Sequence, residues 1–143
     1  MTGKWTGIYQ HESKRIPENR RNQQTRFKIE ITQFDGKNFS GTIEDDLETG
    51  GTRGTGIIEG KIKGNQLRFI KKMPIQTSLD KNGNIIEEQK PHRSIFYTGI
   101  IQNDTVKGLW RFKFGIGIFQ GKFAIFPSIK GSWEMTKEPI QNL

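Results

Sequence analysis

Tyr9, Asp45, Lys71, Arg93 and Tyr97 combine reactive or charged groups with a pattern that gathers them. Each continues an alternation of apolar residues, mostly near the end of a run, so each falls on the face its run turns inward. A cation beside an apolar space suits a carboxylate or phosphate, and the Arg93 guanidinium suits a bidentate contact better than the Lys71 ammonium. Trp110 and Phe112 share the inward face of a neighbouring run and complete the candidate ligand site. A plainer explanation is that strand ends emerge into water, which leaves Lys71 and Arg93 wet and makes Tyr9 and Tyr97 core residues with satisfied hydroxyls.

Catalytic chemistry has less to work with. His11 and His92 alone titrate near neutrality without a shift, and both fall in segments expected to be loops. No Cys is present as a nucleophile, and no Ser stands in a nucleophile-elbow pattern. The acidic run Glu44-Asp45-Asp46-Leu47-Glu48 has the oxygens for a hard cation, although a solvated strand end followed by a loop explains it more simply. Asp80-Lys81-Asn82-Gly83-Asn84 fails as a calcium loop, because its Gly comes early and Pro91 stands where a bidentate Glu is needed. Gly115-Ile116-Gly117 lacks the third Gly and the crossover helix of a phosphate loop. No metal site and no cofactor are expected.

The elements that must position these residues are announced by turns. Asp35-Gly36, Gly64-Asn65, Asn82-Gly83 and Asn103-Asp104 each lie between alternating runs, and such dipeptides accept the positive φ of tight hairpins. Strands are expected over 4–10, 26–34, 38–46, 57–63, 66–72, 94–101, 105–114 and 130–137. Residues 11–24 form a long polar loop, 47–55 a loose Gly- and Thr-rich connection, and 73–92 a second long loop or an extended hairpin. The segment 115–127 is apolar, with Phe119, Phe123 and Phe126 at roughly helical spacing. It is a ninth strand or plug, a helix, a lid, or a patch that meets a partner.

Parity sets Trp5, Gly7 and Tyr9 on one face against Lys4 and Thr6, and Phe27, Ile29 and Ile31 against Lys28 and Glu30. The same test turns Trp110 and Trp133 inward, so all three Trp lie on the buried face. One face in and one face wet, repeated along the chain, predicts an all-β fold: a single up-and-down antiparallel β-barrel of about eight strands spanning residues 1–143.

Composition agrees. Ala124 is the one alanine, while 17 Gly and 10 Phe suit a thin sheet core better than helices. No run approaches the roughly 18–20 apolar residues of a membrane span. Met1–Tyr9 lacks the apolar core of a signal peptide, and the absence of Cys fits a reducing cytoplasm. The net charge of +8 favours anionic partners, although the charges are spread over many strands rather than gathered in one run.

The opening Gly3-Lys4-Trp5-Thr6-Gly7-Ile8-Tyr9 resembles the Gly-x-Trp start of lipocalins and of avidin-like proteins. With the closing Gly131-Ser132-Trp133-Glu134, the whole chain is similar to a calycin-type barrel. The resemblance implies that Trp5 packs across one closed end as a structural residue, and it carries ligand binding as a family tendency. The last strand offers Lys130 and Lys137 where the lipocalin pattern supplies an Arg against this Trp.

The leading expectation is a protein that binds a small apolar or amphipathic ligand, neutral or anionic, inside the barrel. The alternative is a basic interaction module for nucleic acid or an acidic protein, using Lys14, Arg15, Arg20 and Arg21 in one loop with Lys61, Lys63, Arg111 and Lys113 on outward faces. Stacked bases would need aromatics outside, whereas parity places most of them inside. An isomerase- or cyclase-like barrel enzyme comes third, with no residue set nominating a reaction. Monomer and homodimer both remain open.

Overall fold

Strict alternation leaves each strand one apolar face, and the chain buries those faces by rolling the sheet closed. In the computed structural model, residues 1–12, 18, 23–79, 82, 84–88, 94–112, 115–119, 121–126 and 129–139 are described. The strands are β1 (Gly3–His11), β2 (Thr25–Phe34), β3 (Asn38–Asp45), β4 (Thr55–Lys63), β5 (Gln66–Lys72), β6 (Gln76–Leu79), β7 (Ile85–Glu88), β8 (Ile95–Gln102), β9 (Thr105–Phe112), β10 (Gly115–Phe119), β11 (Lys122–Phe126) and β12 (Ile129–Lys137). Eight of them form a closed antiparallel barrel in the order β1-β12-β9-β8-β5-β4-β3-β2. β6 pairs with β7 and β10 with β11 as separate two-stranded sheets. Among the described residues, no helix is long and apolar enough to cross a membrane.

The turn chemistry is visible in the backbone. Gly36, Gly64 and Asn103 have φ of 94°, 61° and 57°, the left-handed region their types tolerate. The Asp35 carboxylate accepts from the backbone N–H of Asn38 (2.6 Å) and of Lys37 (2.9 Å). Those bonds, Asn38 first, hold its pKa down at about 2. Asn82 occupies the turn between β6 and β7, while Gly83 lies outside the described residues. The expected extended hairpin within 73–92 is therefore present as a sheet of its own.

Residues 115–127 differ from two of the expectations. They supply neither a helix nor a ninth barrel strand; β10 and β11 make a hairpin around Gly121, whose φ is 75°. Three glycines in so short a stretch oppose a helix, and the positive φ at Gly121 turns the chain back.

Inside the barrel, large rings face glycines. Gly99, Gly108 and Trp133 stand in one cross-strand row, and the Trp133 indole donates to the carbonyls of Thr98 (2.9 Å) and Leu109 (3.2 Å) on either side of that gap. Trp110 lies opposite Gly131 and donates to Gln10 and Ser132 carbonyls, each at 3.1 Å. Each indole N–H thus finds a backbone acceptor that a larger neighbour would cover. Phe69 stacks on Tyr97 with centroids 4.5 Å apart, and Trp133 meets both rings edge-on.

The two ends of the barrel differ. The tight turns after β2, β4 and β8 share one end with the start of β1 and the end of β12. Trp5 lies two residues inside that end and donates to the Met1 carbonyl at 3.0 Å. The longer connections, 12–24, 46–54, 73–94 and 113–128, all leave the opposite end.

A methyl group at Gly108 would strike the Thr98 carbonyl and the Gly99 backbone. Gly108→Ala is expected to cost about 1–3 kcal/mol in urea unfolding. Gly64→Asn, at a left-handed position with open space, should stay within about 0.5 kcal/mol of the parent.

Candidate functional site

β3 ends on Asp45, and the chain must then reverse to begin β4. Asp46 starts the reversal by capping a short 3₁₀ turn, Leu47–Thr49, with its carboxylate accepting from the Glu48 N–H. Arg26 on β2 anchors the same carboxylate at 2.9 Å. Gly50, at φ 100°, turns the chain, and Gly51 packs so closely on Asp45 that a side chain there would collide with it. The outcome is that the Thr52 backbone N–H comes back to donate to Asp45 Oδ2 at 3.1 Å.

Asp45 gathers three other contacts. Lys71 Nζ on β5 donates to Oδ1 at 2.8 Å and to Oδ2 at 3.0 Å. The Tyr9 hydroxyl on β1 donates to Oδ2 at 3.2 Å. Lys71 Nζ also lies 5.0 Å from the centre of the Tyr9 ring, a cation–π distance. The Lys71 and Asp45 side chains are 2% and 0% exposed. Lys71 is thus withdrawn from water, unlike the wet strand end of the plainer sequence explanation, because a fully hydrogen-bonded carboxylate meets it inside.

Around this cluster the aromatics interlock. The Tyr9 ring meets Phe27 at 6.2 Å and the edge of Trp110 at 6.0 Å. His11 meets Trp110 edge-on at 5.0 Å. The structure therefore brings Tyr9, Asp45, Lys71 and Trp110 together at the end of the barrel that carries the long connections. Tyr97 belongs instead to the stack with Phe69 and Trp133. Phe112 closes β9 opposite Ile129 in the backbone register, and Arg93 lies outside the described residues.

Two contributors had weak or no signatures in sequence. His11 extends the inward series of β1 by one further step, although the sequence suggests a loop there. Thr52 acts through its backbone N–H, which no side-chain pattern can reveal. The acidic run is divided among structural tasks: Glu44 accepts from Thr55 at 2.9 Å, Asp45 pairs with Lys71, and Asp46 caps a turn. Among the described residues, no group of three His, Cys, Asp or Glu is arranged to hold a metal.

The described inward side chains fill the space between them. Phe27, Ile29, Ile43, Ile58, Phe69 and Tyr97 are each at most 3% exposed, so no water-sized gap adjoins them. A cleft of about 1130 Å³ instead runs along the barrel wall over β2, β3, β4, β5, β8 and β9, lined by Thr32, Ser40, Lys61, Arg68, Thr98 and Arg111 among others.

No protein-family model, curated protein or solved structure matches this chain.

Burial pushes both tyrosine hydroxyls well above their ordinary pKa, and the Asp45 charge adds to the effect. The folded protein therefore keeps both phenols neutral, while the unfolded chain ionises near pH 10. Their contribution to stability is complete below about pH 10 and is lost as pH rises beyond it. Since Tyr9 and Tyr97 are the two tyrosines of the chain, tyrosinate absorbance should appear together with loss of the β-sheet circular dichroism. Ionisation near pH 10 in a still-folded protein contradicts this.

Removing one partner of the buried pair should be costly. Lys71→Met is expected to destabilise by about 3–5 kcal/mol in chemical unfolding, because Asp45 is left charged and dry. The Asp45→Leu/Lys71→Met double variant should recover only part of the loss, since the Tyr9 hydroxyl and the Thr52 N–H then lack their acceptor. A Lys71→Met protein as stable as the parent disproves the assignment.

Proposed function

We propose that this chain is a calycin-type binding protein that takes a small amphipathic molecule at the loop-bearing end of its barrel. The observation that carries the reading is positional. The buried polar cluster of Tyr9, Asp45 and Lys71, with Trp110 and His11 beside it, lies at the end from which every long connection leaves. The other end has tight turns and Trp5, which agrees with the Gly-x-Trp resemblance.

The filled shaft favours a ligand seated over the rim rather than deep within the barrel. Lys71 and Asp45 neutralise each other, so the described part of the cluster provides hydrogen-bonding polarity without net charge. An amphipathic ligand with a polar head and an apolar body suits such a floor, with the head directed toward the cluster. Preference for an anion rests on Arg93. The absence of Cys supports a cytoplasmic setting.

Decanol and decanoate are suitable probes. Either should raise the unfolding temperature in proportion to the logarithm of its concentration and change the Trp fluorescence. Trp110→Phe should remove most of that fluorescence response. Failure of both probes to shift unfolding, or a response unchanged in Trp110→Phe, refutes the reading.

A further inference from the structure

The Asp45–Lys71 pair is too dry to be touched from the rim as it stands. A molecule arriving there reaches the pair only if a covering piece of chain moves. Among the described residues, 51–53 cover Asp45. Gly51 is buried against the Asp45 side chain, the Thr52 N–H donates to Asp45 Oδ2 at 3.1 Å, and Thr52 is itself buried.

The connection is held unevenly along its length. Its first half is tied to β2: the Thr25 hydroxyl donates to the Thr49 carbonyl at 2.8 Å, the Arg26 N–H to the Thr49 hydroxyl at 2.9 Å, and the Arg26 side chain pairs with Asp46. The covering residues are tied to other parts. The Gly51 N–H donates to the Asp46 carbonyl at 3.0 Å, and Arg53 pairs with Glu87 on β7 at 3.5 Å. Both members of that ion pair reach water, so it breaks readily. Gly50 and Gly54 bracket the cover, each at φ 100°, and glycine leaves that conformation at little cost. A side chain at Gly54 would also strike Pro74 on the next long connection.

We propose that residues 51–53 are a gate over the rim site, latched by Arg53–Glu87, and that a ligand hydroxyl takes the place of the Thr52 N–H on Asp45. This rests on the binding reading above and adds the chemical class of the head group. Swinging the segment outward at its two glycines takes one donor from Asp45 Oδ2 and leaves the carboxylate short of a hydrogen bond. A hydroxyl supplies the missing donor, whereas an ether oxygen offers only lone pairs. Lys71 and Tyr9 keep their bonds to Asp45 throughout, so the floor of the site stays in place.

The test follows single amides by NMR hydrogen exchange, with decanol and 1-methoxydecane as ligands. In the free protein the Thr52 amide should exchange at least about a hundredfold faster than that of Ile29 within β2, because a local opening releases it. Glu87→Gln should speed Thr52 about twofold to fivefold and leave Ile29 unchanged. Lys107→Ala breaks the comparable pair with Glu134 elsewhere on the barrel and should leave Thr52 at the parental rate. Saturating decanol should slow Ile29 by stabilising the fold, yet speed Thr52 at least about fivefold by holding the gate open. Decanol should bind at least about tenfold more tightly than 1-methoxydecane. The proposal is overturned if Thr52 exchanges as slowly as Ile29, if Glu87→Gln leaves its rate unchanged, if decanol binds and slows it, or if the ether binds as tightly. A decanol that leaves the unfolding temperature unchanged refutes the binding reading and the hydroxyl's role with it, while the Glu87→Gln comparison still decides the gate.

Discussion

An eight-stranded barrel has an interior just wide enough for side chains to fill it, so cross-strand rows that carry large rings need small residues in the same row. The chain meets this limit by setting rings against glycines. Trp133 lies across Gly99 and Gly108, Trp110 opposes Gly131, and Phe69 sits beside Gly60. The missing side chains let each indole reach carbonyls that flank the gap, so packing and hydrogen bonding are met by the same choice of residue. Register then follows, because sliding one strand by a residue would turn its rings to the outer face and its polar residues into the core.

Within that apolar filling, the Asp45–Lys71 pair is the exception. Burying two charges offers little net stability against a well-packed apolar alternative. What the pair does supply is position: it ties β3 to β5 across the intervening β4, holds the Tyr9 hydroxyl, and draws the segment after β3 inward through Thr52. A polar floor is thereby fixed at the end where the connections are long.

The strands and their inward faces were legible because alternation has a period of two and the turn dipeptides mark where each run ends. Tyr9, Asp45 and Lys71 could be put on the inner face on those grounds alone. Their meeting could not, since β3 and β5 are not neighbours and only closure of the sheet brings them within reach. The dryness of Lys71 was hidden for the same reason: a lysine at a strand end is wet unless a distant carboxylate claims it. In 115–127, the spacing of three Phe left helix and strand both open, and the left-handed turn at Gly121 belongs to the strand solution. Phe96 shows the converse, an ordinary apolar residue in sequence that register places outward, opposite Ile70 and Arg111.

The seam between β1 and β12 has a consequence for how the molecule comes into being. Every other barrel pairing joins strands that follow one another around the sheet in chain order, whereas Trp5 must find Lys137. During synthesis the sheet can grow strand by strand, yet it stays an open ribbon with two unpaired edges until the final strand leaves the ribosome. Closure is then a single late event spanning nearly the whole chain, which places this protein among slow folders despite its short turns. For that interval the nascent chain exposes edges that a neighbouring copy can pair with, so its yield depends on how quickly β12 arrives.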